Sequence, residues 1–219
     1  MTIPPKVRVL PAEPRDGPAL AKVEIDAFSE GALSEIMFGP ASDEAIAYRG
    51  KELTELIEKK DPRKHYVKAV VGDDEKIIAL GIWQFFLDEE GNSANCPETQ
   101  DVNKKEWPPG ANLEACKFFF GNLYRWREER RGQRHAFLSV LVTDPAHQGI
   151  GAGSALMKYG LDIADREKIP SWLESSRKGY PLYRKFGFQD TKRFTFDLTR
   201  YGREGKSDAV EMVRPQREN

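Results

Sequence analysis

Residues 139–157 read SVLVTDPAHQGIGAGSALM, and this stretch decides the fold. An apolar strand runs into Asp144-Pro145, a glycine cluster follows, and a helical pattern then begins. A helix start leaves backbone N–H groups without partners and carries partial positive charge. Glycines at 149, 151 and 153 let such amides approach an anion, because no Cβ stands in the way. The stretch therefore predicts a cradle for a phosphate or a pyrophosphate.

Two better-known phosphate turns do not fit this stretch. A P-loop needs a lysine followed by serine or threonine after its glycines, and no lysine follows here. A dinucleotide fingerprint needs the spacing GxGxxG early in the chain, whereas Gly149, Gly151 and Gly153 alternate about two-thirds of the way along it. A glycine-rich helix start that binds no ligand is the remaining alternative.

The turn resembles the Q/R-x-x-G-x-G/A signature of the GNAT superfamily of N-acetyltransferases, with Gln148, Gly151 and Gly153 in the defined positions. The resemblance implies that the amides of the turn bind the pyrophosphate of acetyl-CoA. It also implies that the preceding strand receives the pantetheine arm. The cofactor-binding residues implied in this segment are Leu141, Val142, Thr143, Gln148, Gly149, Ile150, Gly151, Ala152, Gly153 and Ser154.

A second motif lies about 30 residues after the glycine turn, where LYRKFGF (182–188) resembles the LYxKxGF segment of the same family. In many members the matching tyrosine lies near the sulfur of acetyl-CoA, so the resemblance makes Tyr183 the general acid. A phenol with a pKa near ~10 can share a proton with a departing thiol whose pKa is near ~8.5. Ser176 stands where the family often has an asparagine that touches the cofactor. A packing tyrosine on a short helix is the alternative for Tyr183.

The periodicity of the whole chain predicts one α/β domain over residues 1–219. Predicted strands cover residues 6–10, 65–72, 76–87, 135–143, 171–175, 188–198 and 207–213. Predicted helices follow an Asp16 cap and a Ser42–Asp43 cap, and cover residues 112–130, 151–168 and 180–186. Residues 29–40 favour a loop or broken helix, and residues 88–111 a long inserted loop. The resemblance implies the GNAT fold, a mixed and mostly antiparallel sheet flanked by helices, with splayed central strands.

Composition limits the other classes of function. A formal net charge of -1 argues against a dedicated binder of nucleic acid or of membrane surfaces. Two cysteines and three histidines, with no CxxC pair, give no metal signature and no disulfide framework. We see no secretory signal and no apolar run of membrane-spanning length. The sequence predicts a cytoplasmic protein without a metal, either a monomer or a homodimer.

An amine substrate is mostly protonated at neutral pH, so its attack on a thioester needs a base. Glu174, at the end of the strand before Tyr183, is the first candidate for that base. Asp26, Glu30 and His135 are further candidates, and a chain of water molecules is an equal alternative. A backbone N–H near Val142 would suit the developing oxyanion, if a bulge frees it from the sheet.

The substrate side of the family's cleft is built from the first helix, the loop after it and the hairpin strands. That position points to six residues besides Glu174, namely Phe28, Glu30, Phe38, Trp83, Phe85 and Trp107. Aromatic residues at such places are also commonly core residues. As pocket residues they would favour a small and partly apolar substrate.

The expected reaction is transfer of the acetyl group of acetyl-CoA to a primary amine of a small molecule, such as an amino sugar, an amino-acid analogue or a polyamine. A protein acetyltransferase for lysines or N-termini is the first alternative, and a non-catalytic acyl-CoA-binding module is the second. The arginine-rich run RWREERRGQR (125–134) is interpreted as a solvated helix end rather than a phosphate-binding patch, partly because two glutamates dilute its charge.

Overall fold

The computed structural model describes residues 6–88 and 102–217. Its strands are β1 (Arg8–Pro11), β2 (Lys64–Val71), β3 (Lys76–Phe86), β4 (His135–Thr143), β5 (Ser171–Ser176), β6 (Gln189–Asp197) and β7 (Lys206–Arg214). Its helices are α1 (Gly17–Ser29), α2 (Ala32–Phe38), α3 (Asp43–Glu58), α4 (Leu113–Glu128), α5 (Ala152–Arg166) and α6 (Tyr180–Lys185). The seven strands form one mixed sheet in the order β1-β2-β3-β4-β5-β7-β6, which confirms the predicted fold class. Among the described helices, none is long and apolar enough to cross a membrane.

The chain divides into two compact units, each assembled from separate segments. The first comprises the described residues of Met1–Glu30, Ala41–Gln84 and Leu138–Ile163. The second comprises those of Gly31–Pro40, Phe85–Phe137 and Ala164–Asn219. A single domain over the whole chain stays a prediction. The predicted loop at 88–111 falls mostly on residues 89–101, which lie outside the described residues.

In the first unit, β1, β2 and β3 pair antiparallel, and β2 with β3 makes the predicted hairpin. Helices α1 and α3 pack closely because Gly17 faces α3 without a side chain. A Cβ on Gly17 would lie 2.2 Å from Thr54 Oγ1 and 2.6 Å from the Gly50 carbonyl oxygen. Leu20 and Leu53 carry this contact into a core that also covers the strands.

The predicted caps of the first two long helices have different outcomes. Ser42 caps α3 as predicted, since its Oγ accepts a hydrogen bond from the Ala45 amide at 3.2 Å. Asp16 precedes α1, but its side chain does not cap that helix. Its carboxylate instead accepts from the Glu13 amide at 2.7 Å and pairs with the buried Lys68 ammonium at 2.6 Å. A buried cation from β2 thus takes the carboxylate that sequence alone assigned to the helix start.

The second unit is built on the antiparallel strands β5, β7 and β6. Helix α4 lies on this unit through aromatic side chains. The ring centroids of Phe119 and Trp126 lie 5.4 Å and 5.5 Å from that of Phe194 on β6. Residues 29–40 are a broken helix, as expected, because α1 ends at Ser29 and α2 begins at Ala32. Met37 of α2 is buried in the same apolar cluster as α4.

Candidate active site

The glycine turn has the backbone geometry that only glycine adopts without strain. Gly149 and Gly151 have φ of +80° and +95°, in the left-handed region. A Cβ built on either would meet no heavy atom of residues 6–88 and 102–217 within 4 Å, so nothing in this part of the chain fills the space in front of them. Helix α5 begins at Ala152, and its first bond runs from the Ala155 amide to the Gly151 carbonyl oxygen at 2.9 Å. The amides before Ala155 therefore lack intrahelical partners and suit a diphosphate.

Asp144 shapes the chain ahead of the glycines. Its carboxylate accepts from the Ala146 amide at 2.9 Å and lies 2.9 Å from His147 Nδ1. Burial alone would raise the pKa of Asp144, but the Ala146 amide and His147 hold it below its ordinary value. The Gln148 side chain folds back, and its Nε2 donates to the Thr143 carbonyl oxygen at 3.4 Å. These bonds close a tight turn between β4 and the cradle.

Strand β4 is buried at its start but half-exposed at its middle. Residues 139–141 are partly exposed, whereas residues 135–138 and Val142 are buried. Ser139 Oγ donates to the Ile82 carbonyl oxygen of β3 at 3.1 Å. Of the implied pantetheine-binding residues 141–143, Leu141 and Thr143 are partly exposed and Val142 is buried.

Tyr183 lies on α6, the short helix of the second motif. Its side chain is buried, and burial raises the pKa of its phenol above the ordinary value near 10, so the hydroxyl keeps its proton at neutral pH. The ring lies over Gly179, where an added Cβ would be 2.7 Å from Tyr183 Cε2. Ser176 Oγ accepts from the Gly179 amide at 3.3 Å, which stabilises the turn that leads into α6.

Glu174 forms an ion pair with an arginine of α4. Arg127 of α4 donates to both of its carboxylate oxygens, at 2.9 Å and 2.5 Å. The two side chains are only 15% and 8% exposed. A carboxylate whose two oxygens both accept from one guanidinium is held as an ion pair rather than left open to an amine. This pairing argues against the predicted role of Glu174 as the base.

His135 is a buried core residue. It is 2% exposed, and its ring lies 4.8 Å from that of Phe86 and 5.9 Å from that of Trp172. Its Nδ1 lies 3.0 Å from the Gln133 carbonyl oxygen and therefore carries a proton to donate. Burial lowers the pKa of His135 to about 4. The low pKa makes the ring a weak base and burial keeps a substrate away from it, so we withdraw it as a candidate base.

Two of the predicted pocket aromatics are core residues. Trp83 is fully buried, and its Nε1 donates to the Leu156 carbonyl oxygen at 3.2 Å. Phe85 is also buried. Neither has a surface that a substrate could contact, so we withdraw both from the predicted pocket. The near-continuous apolar sequence of β3 is typical of a strand that is buried on both faces, and it was the available signal for this burial.

The remaining predicted pocket residues are accessible, and the second unit brings two of them together. Phe38 and Trp107 are half-buried, and their rings lie 6.3 Å and 5.3 Å from the ring of Phe120 on α4. In the first unit, Phe28 is 46% exposed and Glu30 is exposed at the end of α1. Asp26 is engaged with Lys22 at 2.7 Å.

The match to a family model decides the family. The model described as "Acetyltransferase (GNAT) family" matches residues 32–188, well over half of the chain. This chain belongs to the GNAT family. A curated relative from Stachybotrys chartarum, named "Acetyltransferase", is 21% identical over 193 residues, which cover 85% of this chain and 82% of the relative.

Solved structures share the GNAT fold along almost the whole chain. The polyamine N-acetyltransferase of Drosophila melanogaster has a TM-score of 0.64 at 13% identity, covering 95% of this chain and 99% of that one. A ribosomal-protein alanine N-acetyltransferase of Escherichia coli has a TM-score of 0.54 at 18% identity, covering 98% and 97%. An N-acetyltransferase of Thermoplasma acidophilum, solved with coenzyme A, has a TM-score of 0.53 at 14% identity, covering 96% and 99%. At these identities the likeness establishes the fold.

Sequence reasoning missed the part that α4 plays in this GNAT chain. Arg127 and Arg130 belong to the run interpreted as a solvated helix end, yet both are largely buried and paired with glutamates of β5 and β7. That interpretation is wrong for these two arginines. A usable signal was present, because Phe120, Tyr124 and Arg127 recur at spacings of four and three and so share one helix face.

Proposed function

We propose that this GNAT chain is an acetyl-CoA-dependent N-acetyltransferase that acts on a primary amine of a small molecule, by direct transfer in a ternary complex. The observation that carries the proposal is the open turn of Gly149 and Gly151, with the free amides at the start of α5. Amino sugars, amino-acid analogues and polyamines are the acceptor classes to test. A cytoplasmic location, and a monomer or homodimer, stay predictions from the sequence.

The proposed cofactor site combines backbone amides with short side chains. Its residues are Leu141, Val142, Thr143, Gln148, Gly149, Ile150, Gly151, Ala152, Gly153, Ser154, Ser176 and Tyr183. The amides after Gly149 hold the diphosphate, and the half-exposed strand end before the turn receives the pantetheine arm. Ser176 is proposed to act indirectly, through the turn that it stabilises, since its Oγ already accepts a hydrogen bond from the Gly179 amide.

The proposed chemistry assigns a proton and a hydrogen bond to named atoms. Acetyl-CoA supplies an activated thioester when bound. Burial keeps the Tyr183 phenol protonated at neutral pH. We propose that Tyr183 gives this proton to the leaving thiolate as the carbon–sulfur bond breaks and the amide bond forms, and that it regains a proton from solvent. The Val142 amide is proposed to stabilise the developing oxyanion. Since Glu174 is engaged by Arg127, we propose that water molecules, rather than this carboxylate, deprotonate the amine.

The proposed acceptor pocket uses the accessible members of the predicted set. Phe38 and Trp107, with Phe120 between them, offer an apolar wall for the body of a small amine. Phe28 and Glu30 of the first unit stay proposed substrate-binding residues from the sequence analysis.

A free-thiol release screen tests the activity. Acetyl-CoA is incubated with the protein and with amino sugars, amino acids, polyamines or histone-tail peptides, and released CoA is measured. We expect turnover with a small amine. Preference for the peptides would favour a protein acetyltransferase. Acetyl-CoA binding by calorimetry, without thiol release for any amine, would favour a non-catalytic binding module.

The glycine turn is tested by placing a charge in it. Gly151→Asp is expected to abolish acetyl-CoA binding in calorimetry, because a carboxylate would enter the anion cradle. Gly205→Asp is the matched control, since Gly205 also has a positive φ of 89° and open space around its Cβ position. The control carries the same charge and similar backbone strain, and it is expected to bind normally. Equal affinity of both variants would refute the assigned cofactor site.

A further inference from the structure

Arg127 of α4 and Arg130, in the turn that follows this helix, make parallel ion pairs with the sheet of the second unit. Arg127 binds Glu174 of β5, and Arg130 NH2 lies 2.9 Å from Glu211 Oε1 of β7. Glu211 is 1% exposed, and Thr191 Oγ1 donates to its other oxygen at 2.6 Å. Both pairs are therefore largely shielded from bulk water. They differ in this from exposed ion pairs, which contribute little to the stability of a protein.

The two acids that receive these arginines face each other. Glu174 and Glu211 are direct partners in the antiparallel register of β5 and β7. Like charges directly opposite across a ladder destabilise a sheet, and buried carboxylates need compensation. The i, i+3 spacing of Arg127 and Arg130 matches this neighbouring pair of acids. The sheet thus selects one position and one orientation of α4.

The same contact fixes a row of aromatic side chains. The guanidinium carbon of Arg127 lies 5.1 Å from the ring centroid of Tyr124 and 5.0 Å from that of Phe137 on β4. The ring of Tyr124 lies 6.2 Å from that of Phe120, which in turn lies 5.3 Å from that of Trp107. Arg127 is therefore the fixed end of a row that leads to the proposed acceptor wall.

We infer that Glu174 is a positioning residue, which holds Arg127 and thereby orients the α4 face of Phe120 and Tyr124 toward the acceptor. The inference rests on the proposed function for its substrate side, while the ion pair itself is a property of the fold. On this inference, the ion pair of Arg127 and Glu174 affects the binding of the amine, and other residues bind acetyl-CoA.

The test compares Glu174→Gln, Arg127→Met and the charge-exchanged double variant Arg127→Glu/Glu174→Arg. Each single variant leaves one buried charge without its partner, so each is expected to lower Tm by several degrees. Each is also expected to raise the KM for the amine about tenfold, with the KM for acetyl-CoA and the acidic limb of the kcat–pH profile unchanged. The double variant is expected to recover at least half of both losses, because it restores an ion pair.

A general base at this position would behave differently. Glu174→Gln would then lower kcat about a hundredfold and remove the acidic limb, while Arg127→Met would keep the limb. The exchanged variant, lacking a carboxylate at 174, would not recover. Any of these results overturns the inference. If the exchanged variant fails to fold, unequal effects of the two single variants on the KM for the amine overturn it equally.

Asp165→Asn is the control for stability loss alone. It breaks another buried ion pair of the second unit, in which Arg214 NH1 lies 2.7 Å from Asp165 Oδ1. We expect a lower Tm with an unchanged KM for the amine. A raised KM here would assign the effect to general destabilisation and contradict the inference. A wild-type protein that acetylates no amine counts against the proposed function, whereas the ion pair is then decided by recovery of Tm in the exchanged variant.

Discussion

At the scale of single residues, burial decides what each titratable group can do. Tyr183 and His135 are both enclosed, and in both cases burial favours the neutral form. For a phenol that means a retained proton, which suits an acid. For an imidazole it means that a proton is bound only weakly near neutrality, which removes a base. The same physical cause thus supports one predicted role and excludes the other.

Tyr183→Phe removes only the proposed acid. We expect kcat to fall about a hundredfold, because proton donation to the leaving group is lost, while the KM for acetyl-CoA changes little. Steady-state kinetics with a saturating amine would measure this. Tyr180→Phe is the control on the same helix, since its hydroxyl donates to Asp190 at the surface at 2.9 Å. A kcat for Tyr183→Phe within about twofold of wild type would remove the acid role.

His135 makes the stability of the protein depend on pH. The unfolded imidazole gains a proton near pH 6.5 and the folded one near 4, so the unfolded state binds more protons in between. Stability is therefore lost as the pH falls, by about 2 kcal/mol between pH 7 and 5 from this residue. Urea unfolding at both pH values is expected to show a smaller loss for His135→Gln. Identical losses in the two proteins would show that burial does not lower the pKa of His135 in the folded protein.

At the scale of elements, the position of helix α4 in the second unit is set by its cap, its aromatic contacts and its ion pair with the sheet. Its start is set by Asn112, whose side chain accepts from the Ala115 amide at 3.2 Å. Its apolar side enters the cluster of Phe194 and Phe196, and Arg127 in its last turn reaches the sheet. Helix capping and tertiary ion pairs therefore agree on one position for the helix.

Asn112→Ala is expected to destabilise the protein by about 1 kcal/mol, because an amide at the start of α4 loses its acceptor. Asn112→Asp keeps an acceptor and adds a favourable charge at the helix start, so it is expected to match or exceed wild type. Urea unfolding of the three proteins measures the difference. Equal stability of the alanine and aspartate variants would mean that the cap contributes nothing.

At the scale of the whole molecule, the surroundings of a helical glycine decide whether its replacement by alanine raises or lowers the stability of the protein. Gly160 of α5 lies against Trp83, and an added Cβ would be 2.0 Å from Trp83 Cε2. Among the described residues, a Cβ added to Gly121 of α4 would have only Val102 Cγ1 nearby, at 3.9 Å. Both glycines are inside helices, where propensity alone favours alanine. Only packing between elements separates them.

Gly160→Ala is expected to destabilise the protein by about 1–3 kcal/mol, since helix and strand must separate to admit the methyl group. Gly121→Ala is expected to stabilise it by roughly 0.5–1 kcal/mol through helix propensity. Thermal and urea unfolding of both variants test the contrast. Stabilisation by both substitutions would show that α5 and Trp83 are not in close contact.

The local sequence determined where several helices and strands begin and end, and it determined the position of the glycine turn. Strand β4 has the predicted bounds, α3 begins after the predicted Ser42 cap, and a helix follows the glycine cluster as predicted. These features depend on neighbouring residues, through backbone preference, capping and periodicity. The family also followed from two short motifs and was confirmed by the family model.

Only the tertiary structure decided the partners of the polar and aromatic side chains. Arg127 lies 47 residues from Glu174, and Asp16 lies 52 residues from Lys68. No local pattern specifies such pairs, because desolvation and ion pairing depend on which distant segments pack together. For the same reason Trp83 and Phe85 could be assigned to a pocket from sequence, although the fold encloses both.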